Sequence, residues 1–325
     1  MKKLISPLLL AAAALLIIGA CKKDTTNNTP QPPAGYSKKG LKQLFSPLQP
    51  GKQSFTVTAG THSTIVGAAG TKLTFYPNSF LTATGQPVTS GTVQIQLIEA
   101  TRIGSMIGAR AITTAGGKLL RSGGEVYISA TMNGQALTAN KYGVGFKQAG
   151  YSSQPMGLYV GNANNEDSVV TWDGPFTGNG TTSNGTITDS LQGPNGWYHQ
   201  FDSCTSFNWI NCDYFYNSTA TLTNVSAVTP DTSFNVSNTS VFLVFPSINS
   251  VTYMGTYATG SHTFSLNASY FVPVGMNVHL VGISAKNGNL YYGELLNQTT
   301  TASMSVPLPL QQQTLSYIQS HLAAL

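Results

Sequence analysis

The sequence predicts an all-β chain: tandem β-sandwich domains closed by a short C-terminal amphipathic helix. Three observations carry this. Only 8% of the 325 residues are charged, while Gly, Thr, Ser and Asn are abundant, a composition suited to strands and turns more than to solvated helices. Short alternating runs recur between turn residues, the pattern of half-buried strands in stacked sheets. About 270 residues follow the N-terminal leader and tether, more than one sandwich needs, so at least two are expected.

Taken in order, the chain opens with Met1, Lys2 and Lys3, followed by an apolar run from Leu4 to Ala20 broken by Ser6 and Pro7. The run is too short for a membrane span and ends in small residues, so residues 1–20 read as a signal peptide. Its end, Ile18-Gly19-Ala20-Cys21, resembles the lipobox of bacterial lipoproteins. The resemblance implies cleavage before Cys21, lipid on its thiol, and attachment to a membrane. Several acyl chains anchor stably where one would be marginal. Residues 21–52 are mostly Thr, Asn, Pro, Gln, Lys and Gly, with Pro30, Pro32 and Pro33 close together. They bury little and read as a flexible tether, with one weak apolar island (Leu41, Leu44, Phe45) able to dock on the first domain.

Charge is divided unevenly. Residues 1–52 carry eight Lys and one Asp, +7, while the rest carries eight cations against ten carboxylates, −2. The basic character belongs to leader and tether, and a duplex-binding footprint would need it on the folded domain. Nucleic acid is therefore not expected as a partner. Beyond Cys21 two cysteines remain, Cys204 and Cys212. Outside the cytoplasm an even remainder suggests a disulfide, worth about 2.6 kcal/mol in the chain-entropy model for so short a loop, with two buried free thiols as the alternative. Their spacing does not suit a CxxC redox or zinc site.

The first sandwich is placed at 53–173. Val93, Ile95 and Leu97 alternate with Gln94, Gln96 and Ile98, and Val126, Ile128 and Ala130 with Tyr127, Ser129 and Thr131. Gly116-Gly117, Gly123-Gly124, Asn133-Gly134 and Asn287-Gly288 are turn signals. Residues 174–196, rich in Gly, Asn, Thr and Ser, read as an exposed loop or linker. Residues 197–218 form an aromatic, Cys-containing segment. The second sandwich is placed at 219–325. In it the fully apolar Val241-Phe242-Leu243-Val244-Phe245 reads as a strand buried on both faces, and Val278, Leu280 and Ile283 belong to another. The helix is the chain's last element. Leu315, Ile318, Leu322 and Leu325 share one face of Gln311–Leu325, which packs on the last sandwich and closes an edge.

A family resemblance rests on particular stretches. Gly70-Thr71-Lys72-Leu73-Thr74-Phe75-Tyr76-Pro77-Asn78-Ser79-Phe80, then Gly85-Gln86-Pro87-Val88 and Gly91-Thr92-Val93-Gln94-Ile95, resemble the start of a ZU5-like β-sandwich. With Ser122–Val126, Met156-Gly157-Leu158, Val170-Thr171-Trp172 and Trp209–Asp213 they resemble a group of uncharacterised Bacteroidota lipoproteins, over residues 55 to 215. The autoproteolytic motif of some ZU5-associated proteins is not evident. Pro273-Val274-Gly275-Met276 before a strand resembles a transthyretin-like or carboxypeptidase-regulatory sandwich. The resemblance carries no activity. It implies an outer-membrane lipoprotein, of either face.

Candidate chemistry is sparse. Residues 197–216 hold eight aromatics in twenty residues, against 10% in the whole chain. Flat rings beside amides and carboxylates suit sugar binding, since pyranose C–H faces stack on rings while Asn and Asp take hydroxyls. Trp197, Tyr198, Trp209, Asn211, Asp213 and Tyr214 are the candidate ligand-binding residues, with Asp202 and Asn208 as further hydrogen-bonding groups. The same residues also suit a small aromatic core knotted by Cys204 and Cys212, with Asn211 and Asp213 satisfying turn backbone. Asn162, Asn164, Asn165, Glu166 and Asp167 offer oxygen ligands suited to Ca²⁺, but without EF-hand spacing they read as a hydrated hairpin tip. The histidines are scattered, and no HExxH, GxSxG or phosphate loop is present. His199 and Asp202 flank Ser203 without implying a triad. Arg102, Arg110, Arg121 and Glu125 are expected in ion pairs. No cofactor, metal or catalytic residue is assigned. The sequence thus suggests a lipid-anchored envelope protein that binds a glycan or surface polymer. A scaffold or accessory subunit of an envelope complex is the alternative, and a hydrolase with dispersed acids the rival class.

Overall fold

The computed structural model describes residues 41, 44–162, 170–173, 186–187, 190–193, 196–267 and 271–325. Cys21 and its lipobox, and the side chains of Asn162, Asn164, Asn165, Glu166 and Asp167, lie outside the described residues, as do residues 174–185. The principal strands of the first half are β1 (Gln53–Thr58), β2 (Ser63–Val66), β3 (Lys72–Phe75), β4 (Thr92–Ala100), β5 (Lys118–Met132), β6 (Tyr142–Gln148), β7 (Met156–Asn162), β8 (Thr171–Asp173), β9 (Leu191–Gly193), β10 (Gly196–Cys204) and β11 (Trp209–Phe215). Those of the second half are β12 (Val225–Val228), β13 (Thr239–Phe245), β14 (Ser250–Tyr253), β15 (Thr256–Ala258), β16 (Thr263–Ser265), β17 (Asn277–Lys286), β18 (Asn289–Thr299), β19 (Met304–Pro307) and β20 (Gln311–Gln313). Two short α-helices join them, α1 (Ile103–Ala109) and α2 (Leu315–Ala324).

Four sheets form two sandwiches. Sheet I has the order β1-β4-β5-β11-β7-β8 and faces sheet II, β9-β10-β6-β3-β2. Sheet III, β14-β13-β17-β18-β20, faces sheet IV, β15-β16-β12-β19, in which β12 and β19 run parallel. The expected all-β sandwich architecture with a C-terminal helix is therefore observed. The alternation read from the sequence is what fills the first core: Val93, Ile95, Leu97, Val126 and Ile128 are all fully buried against Leu73, Phe75, Val144, Phe146 and Phe201. The second core takes Val241, Leu243 and Phe245 from β13 and Val278 and Leu280 from β17.

The intervening residues of the same strands build a third core. Phe242, Val244, Val281 and Ile283 point from the opposite face of sheet III toward Ala100, Tyr159 and Trp172 of the first sandwich. Helices α1 and α2 and the stretch Leu41, Leu44, Phe45 and Leu48 fill the remainder. Sheet III is thus covered on both faces, as its unbroken apolar run predicts. The apolar island of the tether region docks here, between the sandwiches: Phe45 is 1% exposed and meets Phe242 edge-on at 5.9 Å.

The turn signals work in two ways. Gly116-Gly117, Asn133-Gly134 and Asn287-Gly288 each hold two successive positive φ angles, the mirror-image geometry that matches strand twist in tight hairpins. Gly123-Gly124 does not turn the chain; it lies inside β5. There Asn211 of β11 pairs with Glu125 and Asp213 with Ser122, so the two glycines face Cys212 alone in a β-bulge. A Cβ at Gly123 would lie 2.9 Å from the Cys212 carbonyl oxygen, and Gly124 has φ +125°, so glycine is required at both.

The expected disulfide is not formed. Cys204 and Cys212 are both free and buried. They follow one another in sequence but belong to opposite sheets, Cys204 ending β10 in sheet II and Cys212 lying mid-β11 in sheet I. Each fills the first core as a small apolar side chain. Burial raises the Cys204 thiol to about 11 against opposing hydrogen bonds with Tyr142 and the Ser206 backbone, and burial raises Cys212 as well, helped by Asp213. The segment 197–218 is accordingly no separate knot. Its hairpin supplies one strand to each sheet, so the first sandwich extends to Phe215, and β9 of the expected linker is an edge strand of sheet II.

Candidate functional site

The outer face of sheet II carries a groove of about 540 Å³. Its shape follows from the sequence of β6, Tyr-Gly-Val-Gly-Phe, in which Val144 and Phe146 point into the core while Gly143 and Gly145 face outward. In register, Gly145 lies between Lys72 of β3 and Gln200 of β10, and Gly143 beside Thr74. A Cβ at Gly145 would stand 2.6 Å from Gln200 Oε1, and one at Gly143 3.2 Å from the Tyr76 hydroxyl. The missing side chains therefore let the flanking ones fold over the central strand.

One wall comprises His62, Thr64, Lys72, Thr74 and Tyr76; the other comprises Tyr198, Gln200 and Asp202, spaced at every second residue of β10. Gln200 Nε2 donates to Asp202 Oδ1 at 3.0 Å, and the rings of His62 and Tyr76 lie 5.9 Å apart. Burial, together with the Asp202 charge and its hydrogen bond, raises the Tyr76 phenol above its usual value, so it stays a neutral donor. Val66 and Leu191 add exposed apolar surface (46% and 59% exposed) at the groove's margins. The groove combines donors, acceptors and ring surface, a set suited to a hydroxyl-rich ligand with apolar C–H faces.

The predicted site residues divide among three places. Tyr198 belongs to the groove, with Asp202 beside it. Trp197 lies at the end of β10, packed edge-to-face with the exposed Tyr151 at 5.4 Å. Trp209 packs on Tyr127 at 5.7 Å and on the core between the sandwiches, while Tyr214 lies under the Arg121 guanidinium at 6.0 Å. The rings do not form one platform. Asn211 and Asp213 are fully buried, so neither meets a surface ligand.

Those two residues form a buried polar cluster with Glu125 and Ser122. Asn211 Nδ2 donates to Asp213 Oδ2, and Gly124 N–H to Ser122 Oγ at 3.0 Å. Burial drives the Asp213 carboxyl well above its usual value, against hydrogen bonds from Ser122, Asn211 and the Gly123 backbone. Glu125 is raised by burial first and by Asp213 second, and neither of its carboxyl oxygens has a hydrogen-bond partner among the described residues. The expectation of an ion pair at Glu125 is thus corrected: its neighbour is another carboxyl. Arg102 and Arg121 are exposed, and Arg110 is buried over the Phe45 ring at 5.3 Å.

The structure separates the groups of the sequence-adjacent His199, Asp202 and Ser203: His199 is fully buried, whereas Asp202 lies on the exposed face of β10. Among the described residues, no group of three or more His, Cys, Asp or Glu is placed to hold a metal ion, and no helix is long and apolar enough to cross a membrane. Sequence reasoning missed His62, Lys72, Tyr76 and Gln200. The available signal was the two-residue spacing of Gly143 and Gly145, beside that of Tyr198, Gln200 and Asp202. Compared with known proteins, the chain matches no family model and no curated protein.

Proposed function

We propose that the protein is a lipid-anchored β-sandwich protein of the cell envelope, held in the outer membrane through lipid on Cys21, and that it binds a glycan or surface polymer in the sheet II groove. The observation that carries this reading is the groove whose walls flank the two outward glycines of β6. Tyr76, Tyr198, Gln200, Asp202 and Lys72 converge there on one open space while both sandwich cores are filled. Small-molecule sites take this form, a concavity with a few placed polar groups on an apolar surround. Anchoring rests on Ile18-Gly19-Ala20-Cys21, and the ZU5-like, Bacteroidota-type resemblance fits the same location. A binding role also agrees with the carboxylates: Asp202 is the one acid among the groove's described lining residues, and Glu125 and Asp213, on the far face of sheet I, are sealed from solvent.

The test is binding of the full chain, in detergent, to a glycan array and envelope polysaccharides, beside Tyr76→Ala and Asp202→Asn. Circular dichroism checks that both variants are folded. A glycan that binds wild type and loses at least tenfold in affinity with each folded variant supports the reading. Glycan binding untouched by both variants moves the site elsewhere. No glycan binding by folded wild type overturns the reading and favours a scaffold role in an envelope complex.

A further inference from the structure

A second concavity, of about 600 Å³, opens between the two sandwiches. One side comes from the bulged stretch of β5 and the end of β6, the other from residues 246–249 after β13. Asn249 fixes the width, its amide donating to the carbonyls of Thr101 at 3.1 Å and Ser122 at 3.4 Å. Nothing in the proposed groove requires this cleft, and the described lining residues of the two do not overlap.

Its charge sets it apart. Arg102, Arg121 and Lys147 line it, three of the eight cations that residues 53–325 possess, in a body whose formal charge is −2. No Asp or Glu is among its described lining residues. All three cations are exposed, and none is in an ion pair with a described residue. Like charges gathered in one concavity, with low-dielectric walls on both sides, focus a positive potential that attracts and orients an anion. The rest of the lining is not what a bare ion needs. Gln154 supplies an amide that can both donate and accept. Gln148 and Asn249, whose amide nitrogens donate to backbone carbonyls, offer their amide oxygens, and Tyr151, 61% exposed and braced by Trp197, presents a ring at the mouth.

We infer that this cleft is a second binding site, selective for an acidic saccharide: a sugar whose carboxylate or sulfate meets Arg102 and Arg121 while its hydroxyls meet the amides. Arginine suits planar oxyanions because its guanidinium donates two parallel hydrogen bonds. The ring of Tyr151 takes a C–H face of the sugar.

The test uses the full chain in detergent with three probes: hexameric oligogalacturonate, the same oligomer as its neutral methyl ester, and a heparin-derived sulfated hexasaccharide. At least one acidic probe binds, its affinity falls as salt rises, and the methyl ester binds at least tenfold more weakly than the acid. The double variant Arg102→Gln/Arg121→Gln loses at least tenfold affinity for the acidic probe, and Tyr151→Ala loses affinity independently. Tyr76→Ala, in the sheet II groove, leaves acidic binding intact, which separates failure at this cleft from failure at the groove. Three results would overturn the assignment: neither acidic probe binding, the methyl ester binding as well as the acid, or the folded double variant binding as wild type does. Displacement of the oligosaccharide by inorganic phosphate at equal concentration would reduce the cleft to a simple anion site. Tighter binding of a single-stranded oligonucleotide of equal charge would reject a saccharide as its ligand.

Discussion

At the scale of single residues, the Glu125–Asp213 pair makes the strongest physical demand on the fold. Two carboxyls without exposure cannot both ionise, because each loses hydration and repels the other. Asp213 accepts hydrogen bonds that favour its charge, and Glu125 has none among the described residues, so burial and the Asp213 charge hold the Glu125 proton well above the ordinary carboxyl value. In the unfolded chain it releases that proton near its ordinary value of 4.5. Between that value and its raised folded value the native state binds more protons than the unfolded state, so this stability contribution is full at low pH and is lost as pH rises. Glu125→Gln removes the titration. The variant is expected to match or trail wild type below the ordinary value of 4.5 and to gain on it as pH rises above that, until the raised folded value is passed. The gain is about 1.4 kcal/mol for each pH unit by which the Glu125 value is raised, read from urea midpoints at several pH values. A difference that stays constant with pH would show that Glu125 ionises normally. The pair was not legible beforehand, and the free thiols only as the alternative to a disulfide. Asn211 and Asp213 share the Trp209 face of β11, and nothing local shows that a second sandwich covers that face. Cys204 and Cys212 are close in sequence, but the chain crosses from one sheet to the other between them.

At the scale of elements, what could be read was periodic and what could not was set by neighbours. The strands around Val93–Leu97 and Val126–Ala130 and the tight turns at Asn133-Gly134 and Asn287-Gly288 follow from alternation and positive φ. Helix α2 follows from the spacing of Ile318 and Leu322, its start fixed by Thr314, whose hydroxyl accepts from Tyr317 N at 3.2 Å. Residues 311–313, expected as its first turn, instead pair with β18. Helix α1 carries no such signal. Ile-Gly-Ser-Met-Ile-Gly-Ala is short, and its two glycines weaken it as an isolated helix. Its glycines serve contact: a Cβ at Gly104 would lie 1.8 Å from the Leu322 carbonyl oxygen, and one at Gly108 2.1 Å from that of Leu48. Both obstacles are backbone, so no rotamer change relieves them. Gly104→Ala is therefore expected to destabilise by about 1–3 kcal/mol, although alanine favours an isolated helix. Gly51→Ala, at a site with nothing within 4 Å, serves as the control and should lie within about 0.5 kcal/mol of wild type. Chemical denaturation decides it: equal midpoints for Gly104→Ala and wild type would mean that α1 and α2 are not held this closely.

At the scale of the whole molecule, sheet III turns two sandwiches into one folding unit. Its β13 and β17 place alternate residues in two cores, so the second sandwich cannot lose its order without uncovering Ala100, Tyr159 and Trp172 of the first. The sequence shows that 241–245 is buried on both faces. It does not show what lies on the far side, because the covering residues come from distant parts of the chain, including Leu41, Leu44 and Phe45 in a stretch that otherwise reads as tether. The same arrangement creates the cationic cleft, whose walls belong to different sandwiches and whose three cations look unremarkable one by one. Thermal unfolding of the full chain is expected to give a single transition in which calorimetric and van't Hoff enthalpies agree. Phe45→Ala tests the link. Truncating a fully buried phenylalanine typically costs about 3–5 kcal/mol, and because Phe45 packs on Phe242, that loss should lower the one transition as a whole. Two resolved transitions, with only one of them shifted by the substitution, would mean that the sandwiches fold independently. The cleft between them would then be a hinge in which the spacing of Arg102 and Arg121 from Asn249 is not fixed.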